Sequence, residues 1–150
     1  MPFLILLSVF SFTALVLRAD NPIVATGAMT DPFAVVYGER VYIYAKHDFA
    51  PDTRWFIMKD WWVWSSTDLD HWRQVGTLHH EQTYLKKPFD ECWGTSAATR
   101  NGKYYWYFSA GPTEIGVVEA DVPAGPWHDP LGKPLIPKGL VPPRNAIPPS

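Results

Sequence analysis

Twice in this chain a run of strand-forming, largely aromatic residues follows a tight polar turn. Val41-Tyr42-Ile43-Tyr44 follows Gly38-Glu39-Arg40, and Tyr104-Tyr105-Trp106-Tyr107 follows Asn101-Gly102 and Lys103. β-Branched and aromatic residues suit a pleated, half-buried surface, and Asn-Gly is a strong hairpin signal. Further along, Ser66-Thr67-Asp68 followed by Trp72 lines up with Glu119-Ala120-Asp121 followed by Trp127. The unit recurs at roughly 55–63 residues and has room for four short strands. Such a unit buries its faces by stacking on copies of itself, which predicts the blades of a β-propeller. Trp72 and Trp127, recurring at one place in each unit, read as packing wedges.

The remaining elements follow in order. Phe33 to Tyr37 and Val41 to Ala45 form the first hairpin, and His47 to Lys59 is a loop containing Pro51. Asp60 to Ser66 is a third strand, Thr67 to Asp70 a turn, and His71 to Val75 a fourth strand closed by Gly76. A polar connection runs from Thr77 to Glu91. Ser96 to Arg100, Lys103 to Ser109 and Glu114 to Ala120 repeat the pattern, and Trp127 opens the last strand after a turn at Asp121 to Pro126. No helical period appears after Arg18, so the fold class is all-β.

Composition narrows the function. The chain has 150 residues, the size of one domain, with 15% aromatic residues, eight of them Trp, and a net charge of −2. No basic stripe is present, which argues against nucleic acid as a partner. The apolar run Phe3 to Leu17, with Leu17-Arg18-Ala19 as a cleavage site, reads as a secretory signal over residues 1–19. The expected location is therefore secreted or periplasmic, without stable membrane association once the signal is removed. Residues 20–150 form the folded part. The single Cys92 makes no internal disulfide and reads as a small buried apolar residue.

Several residues invite a chemical reading. Asp31 precedes Pro32 at the entrance to the first hairpin. Pro32 biases Asp31 toward extended geometry, and a carboxylate held there suits either a catalytic base or a turn cap. His47 and Asp48 end a strand at the same mouth, where they either bond a ligand and orient Asp31 or fix the loop. Asp60 lines a pocket or makes a turn. Trp93 offers an apolar face for a sugar ring or for the core. His79-His80-Glu81 lacks the spacing of a metal site, and no cofactor is expected.

The ordered set of motifs resembles family 43 glycoside hydrolases. Asn21-Pro22-Ile23, Thr30-Asp31-Pro32, His47-Asp48 and Met58-Lys59-Asp60-Trp61-Trp62-Val63-Trp64-Ser65-Ser66-Thr67-Asp68-Leu69-Asp70-His71-Trp72 look like the opening blade of that family. Trp93-Gly94-Thr95, the segment from Asn101 to Ser109, Ile115-Gly116-Val117, Gly125-Pro126-Trp127 and Asp129 to Leu135 look like its second blade. The resemblance covers about Asn21 to Ile136. It implies a five-bladed propeller with two blades present, and an inverting glycosidase acting on xylan, arabinan or arabinoxylan. It assigns Asp31 as the general base and His47, Asp48, Asp60 and Trp93 as substrate-binding candidates. Inverting hydrolysis also needs an acid, at about 6.5–9.5 Å from the base. The family takes that Glu, and the Asp that tunes it, from later blades than these two. A chain that stops at Ser150 is then expected to be a fragment without turnover of its own. The alternative is a non-catalytic carbohydrate-binding or structural propeller module. One departure stands out: the family often has Trp-Ala-Pro where this chain has Trp93-Gly94-Thr95.

Overall fold

The computed structural model describes Ile23, residues 28–49 and residues 56–140. The proposed signal, Asn21-Pro22, Pro51 and the Pro-rich stretch 142–149 lie outside the described residues. Among the described residues, seven strands form two antiparallel sheets. β1 (Ala28–Tyr37), β2 (Arg40–Asp48), β3 (Asp60–Ser66) and β4 (Arg73–His79) make a four-stranded meander in that order. β5 (Cys92–Arg100), β6 (Lys103–Ala110) and β7 (Glu114–Ala120) make a three-stranded one. A single 3₁₀ turn at His80–Gln82 starts the connection between them. The chain is all-β and forms two adjacent propeller blades.

The first hairpin turn of each blade has the two residues its register demands. Tyr37 pairs with Arg40 around Gly38-Glu39, and Arg100 with Lys103 around Asn101-Gly102. Gly38, Asn101 and Gly102 all take positive φ, as tight hairpin turns require. The strand repeat matches the alternation of the sequence at β2 and β6. At β3 and β7 it is displaced by one residue: Val41 faces Ser66 and Tyr104 faces Ala120, so Ser66 corresponds to Ala120, not Glu119.

The blades pack face to face because alternate residues of each central strand are large and apolar. Tyr44, Trp61, Val63 and Leu78 of the first blade bury against Trp106, Phe108, Val118 and Trp127 of the second. The rings meet edge-on. Tyr44 and Trp106 have centroids 4.9 Å apart at 68°, and Trp106 and Trp127 5.4 Å apart at 71°. Edge-to-face pairs of this kind add about 0.5–1.5 kcal/mol each beyond burial. The Tyr44 hydroxyl donates to the Pro123 carbonyl at 2.7 Å, and burial pushes its pKa up, followed by neighbouring tyrosines.

Two expectations need correction. Trp127 does not open a fourth strand in the second blade. The segment after β7 touches it at two isolated bridges, Glu119–His128 and Ile115–Ile136. Pro123, Pro126, Pro130, Pro134 and Pro137 remove five backbone donors there, so no continuous ladder forms. Trp127 is nonetheless a wedge between blades, but Trp72 is not. Trp72 is half-buried outside the core, and its indole donates to the Leu69 carbonyl at 3.0 Å. Cys92 is buried as expected, and burial pushes its thiol pKa well up.

Candidate active site

Asp31 sits in a bulge rather than an extended strand. The β1–β2 register jumps from Thr30–Lys46 to Phe33–Tyr44, which leaves one extra residue on β1. Asp31 has φ +45°, the left-handed region that Asp tolerates better than most side chains. The bias expected from Pro32 is therefore overridden by the bulge. Bulges re-aim side chains, and here the Asp31 carboxylate is 67% exposed. Its partner is Lys46, whose side chain is only 11% exposed while its ammonium pairs with Asp31 Oδ2.

The second blade carries the same device at the same place. The β5–β6 register skips Gly94, between Trp93–Ser109 and Thr95–Phe108, and Gly94 has φ +44°. A side chain there would also collide with Ser109, whose Oγ lies 2.7 Å from an ideal Cβ position. The next residue ties the blades together. Thr95 Oγ1 lies 3.0 Å from the Tyr44 carbonyl and 3.3 Å from the Asp31 carbonyl, one hydroxyl donor shared between two acceptors. The departure from Trp-Ala-Pro therefore puts a hydroxyl where it secures the backbone of Asp31.

The other candidates fall elsewhere. His47 and Asp60 are cross-strand partners, with His47 Nδ1 2.9 Å from Asp60 Oδ1. His79, next across the sheet, brings Nδ1 to 3.8 Å from Asp60 Oδ2. The His47 ring stacks on Trp62 at 3.6 Å, with Phe49 at 4.2 Å. Tyr44 and Trp61 face the second blade, and Lys46 shares their face as the partner of Trp61. His47, one residue on, points to the opposite face. The structure thus joins His47 to Asp60 and separates both from Asp31. Asp48 is buried, and its Oδ1 accepts the Ile57 N–H at 3.3 Å where the loop returns. Trp93 is half-buried against the core, and its carbonyl accepts the Trp61 indole N–H at 3.2 Å.

Lys46 and Thr95 are the site residues that sequence reasoning missed. The expected strand stopped at Ala45, one residue short of the lysine. His79 and His80 engage different partners, His80 Nδ1 bonding the Lys59 carbonyl at 3.0 Å. Among the described residues no group of three or more His, Cys, Asp or Glu is placed to hold a metal.

The model of glycosyl hydrolases family 43 matches residues 19–144. The chain is 32% identical to an arabinoxylan arabinofuranohydrolase of Paenibacillus polymyxa over 136 residues, covering 78% of this chain and 21% of that protein. It is 33% identical to xylosidase/arabinosidase 43A of Humicola insolens, covering 71% of this chain and 36% of the relative. A crystal structure of a family 43 enzyme from Xanthomonas citri complexed with xylotriose superposes with a TM-score of 0.66 at 32% identity, covering 76% of this chain and 35% of that one. The chain spans from about a fifth to about a third of the length of the curated relatives it matches. By motif order and by these likenesses, the chain belongs to glycosyl hydrolases family 43.

Proposed function

We propose that this chain supplies the base-bearing blades of an inverting glycosidase that cleaves xylosides or arabinofuranosides of pentose polysaccharides. The observation that carries the reading is Asp31 itself: an exposed carboxylate on the first strand, held in left-handed geometry and paired with a largely buried lysine. In this scheme Asp31 accepts a proton from a water as that water's oxygen bonds the anomeric carbon. The glycosidic C–O bond breaks, and the leaving oxygen takes a proton from a carboxylic acid outside these two blades. Lys46 keeps the carboxylate pointed at the water, and Thr95 holds the backbone that bears it. The names of the relatives, an arabinofuranohydrolase and a xylosidase/arabinosidase, support the substrate class.

Asp31→Asn in the full-length protein tests the base. A positioned base contributes about 10²–10⁴-fold, so hydrolysis of aryl β-xyloside and aryl α-L-arabinofuranoside should fall at least 100-fold. Asn also tolerates left-handed geometry, so the melting temperature should hold. Activity within a few-fold of the parent refutes the assignment. The apolar run at residues 3–17 further supports export, and mass spectrometry of secreted protein should show it removed; an intact Met1 on exported protein refutes that.

A further inference from the structure

The end of the first blade remote from Asp31 carries a second polar concavity. β2 begins at Arg40 and reaches Lys46 roughly 20 Å further along. At the Arg40 end, Arg40, Ser65, Ser66, Thr67, His71 and Arg73 line a pocket of about 260 Å³. Register explains the convergence. Ser65 is the cross-strand partner of both Tyr42 and Arg73, and Arg40 precedes Tyr42 by two residues, so Arg40, Ser65 and Arg73 share one face.

The pocket's charge is one-sided. No carboxylate lines it, and among the described residues neither Arg40 nor Arg73 has a hydrogen-bond or ion-pair partner through its side chain. The neighbouring acid, Asp68, is occupied within its own turn. It accepts the backbone N–H groups of Asp70 at 3.0 Å and His71 at 2.8 Å, and the Ser66 hydroxyl at 3.0 Å. It also pairs with His71 Nδ1 at 2.9 Å, and Asp70 lies 3.8 Å from the same nitrogen. Asp68 raises the pKa of His71, chiefly through that hydrogen bond, while Arg73 opposes the rise as a neighbouring cation. Nε2 of His71 is left for a ligand. The hydroxyls of Ser65 and Thr67 are likewise without a partner among the described residues.

We propose that this pocket binds a small oxyanion through the Arg40 and Arg73 guanidinium groups, with the Ser65 and Thr67 hydroxyls and His71 Nε2 as further donors. Planar guanidinium forks match carboxylate and phosphate oxygens two at a time. The anion comes from one of two sources, free inorganic phosphate or the carboxylate of an acidic sugar.

Calorimetric titration of the full-length protein with sodium phosphate and with sodium glucuronate, at constant ionic strength, tests the site. At least one anion should bind saturably with one site per chain, and the tighter of the two identifies the source. Arg40→Gln and Arg73→Gln should each weaken that binding ten-fold or more, since charged hydrogen bonds are being lost. Both arginines are exposed, so an unchanged melting temperature should accompany each change. Absence of saturable binding by either anion overturns the proposal. So does an affinity that survives both substitutions.

Discussion

Gly116 lies beneath the ring of Phe108, and replacing it with Ala should be among the most disruptive single-methyl changes in the chain. The two residues are cross-strand partners in the second blade, and the ring is 1% exposed. A Cβ on Gly116 would lie 2.5 Å from Cε2 and 2.8 Å from Cε1, with Cζ closer still, against an ordinary contact of 3.4–4 Å. The ring must retreat by about 1 Å, but Trp61 lies beyond it at a centroid distance of 4.6 Å and Tyr84 at 6.2 Å. Overpacking a buried site of this kind costs about 1–3 kcal/mol, and rigid rings on both sides favour the upper half. Replacing strand Gly by Ala returns about 0.5–1 kcal/mol through the unfolded chain. The net loss is about 2 kcal/mol, read as a lower urea midpoint at unchanged slope. The same methyl introduced into a Phe108→Leu background meets no ring edge and should be neutral or stabilising, a coupling that a double-mutant cycle isolates. A Gly116→Ala protein with the parent's urea midpoint would refute the reasoning, because Phe108 would then have somewhere to go.

Other expectations are quickly checked. Lys46→Met should lower kcat on aryl pentosides by about 10–100-fold with little change in KM, as expected for a misdirected base; an unchanged kcat contradicts the role given to Lys46. Cys92 should resist a thiol reagent at pH 8 in the folded protein and react fully in urea, since burial holds its pKa far above the ordinary thiol range. The Asp68–His71 turn should stabilise most between about pH 4 and 6.5. Backbone and side-chain bonds from His71 depress Asp68, so its contribution is lost as pH falls through that lowered value. The same contact raises His71, so its ionic part is lost as pH rises through the raised value. The melting-temperature gap between the parent and Asp68→Asn should therefore be wider at pH 5 than at pH 8.

Much of the fold was legible because it rests on local chemistry. Asn101-Gly102 fixes a hairpin, and alternation from Val41 to Tyr44 fixes which residues face the second blade. The missing outer strand of the second blade was also legible, in its five prolines, but the repeat of Trp127 with Trp72 outweighed them. The bulge at Asp31 was not readable, since Pro32 argues for extended backbone and only the ladder on β2 reveals the extra residue. For the same reason Lys46 escaped notice. The strand expected from the sequence stops at Ala45, one residue before the lysine, and its burial depends on the neighbouring blade. His47, Asp60 and Asp31 are near one another in motif order, yet the alternation of β2 puts His47 with Asp60 on one face and Lys46, the partner of Asp31, on the other.

Asp31 and Gly94 share more than a kink: they are the same position in successive copies of one unit, with φ +45° and +44°. Glycine occupies such a position at no steric cost, whereas an aspartate bears strain of roughly 1–3 kcal/mol. The first strands of both blades therefore offer the same ready-made pedestal, and only the one in the first blade carries a side chain. In this chain the obstacle at the second pedestal is Ser109, so Gly94→Asp alone should misfold the bulge, whereas Gly94→Asp with Ser109→Gly should raise a second carboxylate beside the first.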